Sequence, residues 1–167
     1  PNTTDGCADC PEGKYLDYEG ANRADKCTPC EAGLWSDLRG AVKDSQCTNC
    51  KAGLFSDLKG QSSADACRPC APGRFAESVG ARSSDDCLEC PAGYRQEIKG
   101  AAFCLPCNPG RYRETAGSTF CKKCSKDTFS NNVSQVEPCR PCELGRSAEA
   151  GSTSCSQCLP GTFFNST

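Results

Sequence analysis

The sequence contains no histidine, no methionine and a single tryptophan, and its large apolar residues are few. Leu, Ile, Val and Phe together number 21 of 167 residues, about 13%, below the roughly 20% at which a packed hydrophobic core becomes doubtful. Mean hydropathy is −0.57. A chain this poor in apolar side chains stays unfolded unless something other than a core holds it. The lack of histidine removes the commonest general base, and no Ser, Asp or Glu falls in a distinctive catalytic motif, so the chain reads as a non-enzyme. An excess of charge of one sign is lacking too: 19 basic and 21 acidic residues are mixed throughout, for a net charge of −2. No basic stripe offers itself to phosphates, which argues against a nucleic-acid partner. No apolar run approaches the roughly 20 residues of a membrane span. The chain opens at Pro1 with no charged-then-apolar leader, and is expected to be a mature segment.

Cysteine is what the chain has in abundance. All 18 fall in Cys-x-x-Cys pairs, at 7/10, 27/30, 47/50, 67/70, 87/90, 104/107, 121/124, 139/142 and 155/158. The step between pairs is 20 four times, then 17, 17, 18 and 16, and periods near twenty mean an array of small units. Counted from the second cysteine of a pair, the third residue is Gly13, Gly33, Gly53, Gly73, Gly93, Gly110, Gly145 and Gly161, with Asp127 the exception. The fifth is aromatic at Tyr15, Trp35, Phe55, Phe75, Tyr112, Phe129 and Phe163. The tenth is glycine at Gly20, Gly40, Gly60, Gly80, Gly100 and Gly117, with Gly151 one place early.

The first glycine suits a positive φ or a close approach to a neighbouring module. The aromatic is expected to cover the bridge and supply most of each module's apolar burial. The second glycine suits a turn back to the next cysteine. Since no module buries its aromatic alone, neighbours must stack. The expected fold is small and disulfide-rich: an elongated tandem array of about nine single-disulfide loop modules, with short β-hairpins and little or no helix. Longer modules of 20-residue period occupy 1–86. Shorter ones of 16–18 occupy 87–167, the last completed across the chain end.

Three chemistries compete for the pairs. Two Cys-x-x-Cys units 15–20 residues apart are a zinc spacing. However, nine pairs leave one without a partner and histidine is absent. A redox pair needs a helix start to lower a thiol pKa, and no helical periodicity is present. Structural disulfides remain. Cysteines within one pair rarely bridge each other without strain. The expected scheme therefore joins the second cysteine of a pair to the first of the next. It gives Cys10–Cys27, Cys30–Cys47, Cys50–Cys67, Cys70–Cys87, Cys90–Cys104, Cys107–Cys121, Cys124–Cys139 and Cys142–Cys155. Closing a loop of about 15 residues is worth roughly 3 kcal/mol in the chain-entropy model. Sequons at Asn2, Asn132 and Asn165 fit the same secreted setting and are expected to carry N-linked glycans. A carboxylate column at the seventh position (Asp17, Asp37, Asp57, Glu77, Glu97, Glu114 and Glu149) admits a calcium ladder. Pairing with Lys14, Arg39, Lys59, Arg74 or Arg146 is the simpler account, and no cofactor is expected.

"CADCPEGKY" (7–15) and "CLECPAGYRQEIKGAAFCLPC" (87–107) resemble the ephrin-receptor-like cysteine repeat, which is similar to the single-disulfide module of tumour-necrosis-factor receptors. The resemblance implies the same one-loop-per-module pairing. It also implies an extracellular or cell-surface place in an elongated ectodomain, as in animals, or in large surface proteins and flagellar-hair-type fibres of single-celled eukaryotes. "CSKDTFSNNVSQVEPC" departs by losing both glycines.

The expected function is that of a structural extracellular glycoprotein, the repeating rod of a filament, fibre or stalk. A ligand-binding receptor or adhesion ectodomain is the alternative. The ladder leaves over Cys7 and Cys158, and the 15 residues between them across a head-to-tail seam match the internal loops. This suggests that the chain's partner is itself along an axis, with Cys158 joined to Cys7 between subunits or between repeats of a longer chain.

Overall fold

The computed structural model describes residues 6–164. Its first lesson is why the cysteines sit three apart. The two residues inside a pair are the returning strand of a hairpin, and the fourth and fifth residues after the preceding pair are the outgoing strand. Lys14–Tyr15 pairs antiparallel with Thr28–Pro29, with Lys14 opposite Pro29 and Tyr15 opposite Thr28. The same register recurs in Leu34–Trp35 with Thr48–Asn49, and in Arg111–Tyr112 with Lys122–Lys123. Eight such two-stranded sheets occur among the described residues. Residues three apart on a strand point to opposite faces. The first cysteine of a pair therefore closes its own loop and the second opens the next. Proline is tolerated in the returning strand, at Pro29, Pro69, Pro106 and Pro141, because a two-stranded ladder has a free edge.

The eight bridges are those that the spacing predicts, from Cys10–Cys27 to Cys142–Cys155, with Cα separations of 5.5–5.9 Å. Bridged cysteines are 17 residues apart in the first four modules and 13–15 apart in the next four, and the four longer loops each hold a turn of 3-10 helix: Ala24–Lys26, Asp44–Gln46, Ala64–Ala66 and Ser84–Asp86. The last is fixed by a capping box. Ser83 Oγ accepts from the Asp85 N–H at 3.2 Å and Asp86 Oδ2 from the Ser83 N–H at 3.0 Å. The shorter loops omit this turn, which accounts for the change of period.

The most deeply buried side chains are mainly half-cystines. Cys50, Cys70, Cys90, Cys107 and Cys124 are 0% exposed, whereas Tyr15, Trp35, Phe75, Tyr112 and Phe129 are only half-buried. The expectation that aromatics supply most of the burial is corrected accordingly. Phe55, the best buried of them, clusters with Cys70, Cys87, Ala76 and Ala81. It covers the bridge of the following module, because the loop folds forward over its successor.

By contact the chain forms two units. One comprises the chain up to Ala71 with Phe75–Leu88 and Lys99–Ala102; the other comprises Pro72–Arg74, Glu89–Ile98 and the chain from Phe103 on. Within the first, the Gly13 N–H donates to the Ser36 carbonyl at 2.8 Å, Ser36 N–H to Gln61 at 2.9 Å, and Gly40 N–H to Cys10 at 2.9 Å. Within the second, Gly73 N–H donates to Gln96 at 2.6 Å, Gln96 N–H to Ser118 at 3.0 Å, and Gly117 N–H to Cys90 at 2.8 Å. Backbone groups that a sheet would pair laterally are paired here from module to module.

Contact also reaches one module further. A Cβ on Gly13 would lie 2.6 Å from the carbonyl carbon of Gly60, and one on Gly53 would lie 2.5 Å from that of Gly100. In the second unit, Gly73 meets Gly117 at 2.9 Å and Gly110 meets Gly151 at 2.8 Å. The first glycine of a module thus seats the second glycine of the module two places on. Gly53 and Gly145 have nearly equal φ values, 82° and 78°, yet nothing lies within 4 Å of a Cβ on Gly145. Each alanine substitution meets the left-handed penalty of about 1–2 kcal/mol. Gly53→Ala adds overpacking of about 1–3 kcal/mol. Hydrogen-exchange opening energies are expected to fall by that much more for Gly53→Ala than for Gly145→Ala; equal losses would contradict the seat.

Candidate functional site: the exposed rim of the modules

Between the two strands of each hairpin, the sixth to tenth positions form a rim whose backbone is fixed from below. The sixth position, missed in the sequence, is the anchor. Ser36, Ser56, Ala76, Gln96, Ser130 and Ala148 are all 7% exposed or less. Several of them turn a side-chain oxygen outward along the chain. Ser36 Oγ accepts from the Leu38 N–H at 3.4 Å, Gln96 Oε1 from Ile98 N–H at 3.0 Å, and Ser130 Oγ from Asn132 N–H at 3.3 Å. The available signal was size rather than type: these side chains are small or able to bond their own backbone.

The carboxylates at the seventh position are exposed. Asp57 pairs with Arg68 at 2.5 Å, Glu97 with Arg95 at 3.2 Å and Glu114 with Lys122 at 3.3 Å. Arg39 and Lys59, expected beside this column, bind Glu12 at 3.6 Å and Glu31 at 2.9 Å instead. The reason lies one residue on: the Gly40 and Gly60 N–H groups bond the Cys10 and Cys30 carbonyls, which draws the ninth position over the preceding module. Arg74 pairs with Glu89 at 2.9 Å and Arg146 donates to the Cys155 carbonyl at 3.4 Å. Among the described residues, no three His, Cys, Asp or Glu side chains converge as a metal site.

Asn132 stands exposed on the rim, its Nδ2 donating to Gln135 Oε1 at 3.1 Å. Its module keeps the common loop despite lacking both glycines. Asp127 and Ser134 occupy the two glycine seats at φ 61° and 56°. The usual bonds are intact: Asp127 N–H to Ala148 at 2.8 Å, Cys142 N–H to Asp127 at 2.9 Å, and Ser134 N–H to Cys107 at 2.9 Å. Asp127 Oδ1 also accepts from the Ala148 N–H at 3.3 Å. Asp127 is of a type that tolerates left-handed backbone, whereas the tertiary frame imposes on Ser134 a conformation that it disfavours. Cys158 is a half-buried thiol and Cys7 is exposed. Asn2 and Asn165 lie outside the described residues.

Residues 41–87 match the family model described as tyrosine-protein kinase ephrin type A/B receptor-like. That stretch contains the Cys50–Cys67 and Cys70–Cys87 loops, and the bridges on either side repeat their scheme. Residues 41–87 thus carry ephrin-receptor-like cysteine-rich repeats, and the eight tandem bridges are consistent with modules of that kind. No curated protein matches it.

Ser134→Gly removes a left-handed penalty at a small cost in chain entropy, and is expected to stabilise the module by about 0.5–1 kcal/mol. Thermal unfolding of protein made without glycans isolates the backbone effect; a destabilised variant would contradict it.

Proposed function

We propose that the chain is a structural extracellular glycoprotein, the repeating part of a filament, fibre or cell-surface stalk continued head to tail. One observation carries the reading. The same bridge, hairpin and glycine seat recur in both units, and even the module without glycines keeps the pattern. A receptor concentrates binding in a few anomalous residues; a structural element is selected for uniform joints. Ephrin-receptor-like cysteine-rich repeats are typical of extracellular domains, and no helix among the described residues is long and apolar enough to cross a membrane. Disulfide-dense chains persist in oxidising compartments, which supports the extracellular placement. The exposed Asn132 sequon supports N-glycosylation there.

Immunogold electron microscopy with antibodies against 6–164 tests the reading on native cells. Labels are expected along extracellular fibres or stalks at a repeating interval. Labels scattered singly over the surface and displaced by one soluble ligand would favour a receptor. Peptide mapping of the same material is expected to show glycosidase-sensitive mass at Asn132; an unmodified Asn132 would count against the glycoprotein.

A further inference from the structure

The seventh module asks two things of one residue. Ser134 is the third residue of the sequon Asn132-Val133-Ser134, and it also takes the place held by Gly60, Gly80, Gly100 and Gly117 in the modules before it. Its backbone is left-handed, at φ 56°, which serine disfavours and glycine adopts freely. A strained residue held by its surroundings points to a function that needs its side chain. Glycan transfer is such a function, since the acceptor triplet requires a hydroxyl where the backbone would prefer glycine.

The same joint pins the triplet. The Ser134 N–H donates to the Cys107 carbonyl at 2.9 Å, and the Arg113 N–H donates to the carbonyl of Gln135 at 2.9 Å. The Ser134 carbonyl lies in the seat of Gly93, where a Cβ would be 2.9 Å from its carbon. Asn132 is tied as well: its N–H donates to Ser130 Oγ at 3.3 Å and its Nδ2 to Gln135 Oε1 at 3.1 Å. All of these residues belong to the second unit. Asn132 is exposed, but Ser134 is half-buried. A transferase that selects an Asn-x-Ser triplet must contact both residues, and in the docked module the serine backbone is already taken by the two preceding modules.

Transfer joins Asn132 Nδ2 to C1 of an oligosaccharide carried on a lipid pyrophosphate. The bond from C1 to the pyrophosphate oxygen breaks, the lipid pyrophosphate leaves with the electron pair, and Nδ2 gives up one proton. Nδ2 must first be released from Gln135. On the reading of the chain as an extracellular glycoprotein, on which this rests, we propose that Asn132 accepts its glycan only before the seventh module docks on the fifth and sixth. Closure of the joint ends the reaction. A glycan already attached does not oppose closure, because the Asn132 side chain stands on the exposed rim.

The chain made without glycans, its bridges confirmed by intact mass, is offered to purified oligosaccharyltransferase with lipid-pyrophosphate oligosaccharide, beside the same chain reduced and alkylated. Peptide mapping reads the rate at Asn132. The bridged chain is expected to react at least about tenfold more slowly, because transfer waits for local opening of the joint. Gly93→Ala overpacks the seat and is expected to speed transfer to the bridged chain at least about threefold. Gly145→Ala meets the same left-handed penalty in open space and is expected to leave the rate within about 1.5-fold. Equal rates for bridged and reduced chains, or a bridged Gly93→Ala chain as slow as the original, would overturn the proposal and leave the glycoprotein reading standing. Refusal of the reduced chain at Asn132 would overturn both.

Discussion

A cystine stands in each module where a larger domain would place its hydrophobic core, and the rest of the structure depends on that substitution. The most deeply buried side chains are half-cystines such as Cys50, Cys70 and Cys90, while the aromatics beside them are mostly only half-covered. A cystine fills little volume, so it cannot organise the chain by packing alone. It acts by closing loops of sequence separation 13–17, which restricts the unfolded chain. The remaining order comes from backbone hydrogen bonds handed from each module to the next, with small residues where two main chains meet.

Much of this was legible in the sequence. The paired cysteines, the repeating glycine and the aromatic column led to the bridges and hairpins, since each rests on spacing along the chain. Three things were not legible. The seat of Gly53 under Gly100 depends on how far each module rotates relative to the last, and a one-dimensional period carries no angle. Ser36, Ala76 and Gln96 share a buried site through size and backbone bonding, so a search by residue type passes over them. Arg39 and Lys59 look like partners of their own module's acids because they are near in sequence, but the backbone bond at the next residue turns them to Glu12 and Glu31.

The seventh module is the clearest case of the frame overriding local preference. Ser134 is a poor residue for left-handed backbone and Asp127 only a tolerated one, yet both adopt it and the surrounding hydrogen bonds are unchanged. A sequence reading that treats glycine loss as loss of shape fails here, because neighbouring modules and the Cys124–Cys139 bridge fix the loop from outside. The same tolerance explains how the rim varies from leucine to serine to a glycan-suited asparagine while the backbone beneath it is retained.

The central claim is that successive pairs are joined by bridges from the second cysteine of one to the first of the next. A non-reducing peptide map of the protein, purified without reductant and alkylated at low pH, tests it most directly. The account predicts linked peptides for Cys30–Cys47, Cys50–Cys67, Cys70–Cys87 and the equivalent pairs along the chain. Bridges inside a pair, such as Cys47 with Cys50, or alkylated thiols throughout the array, would contradict it.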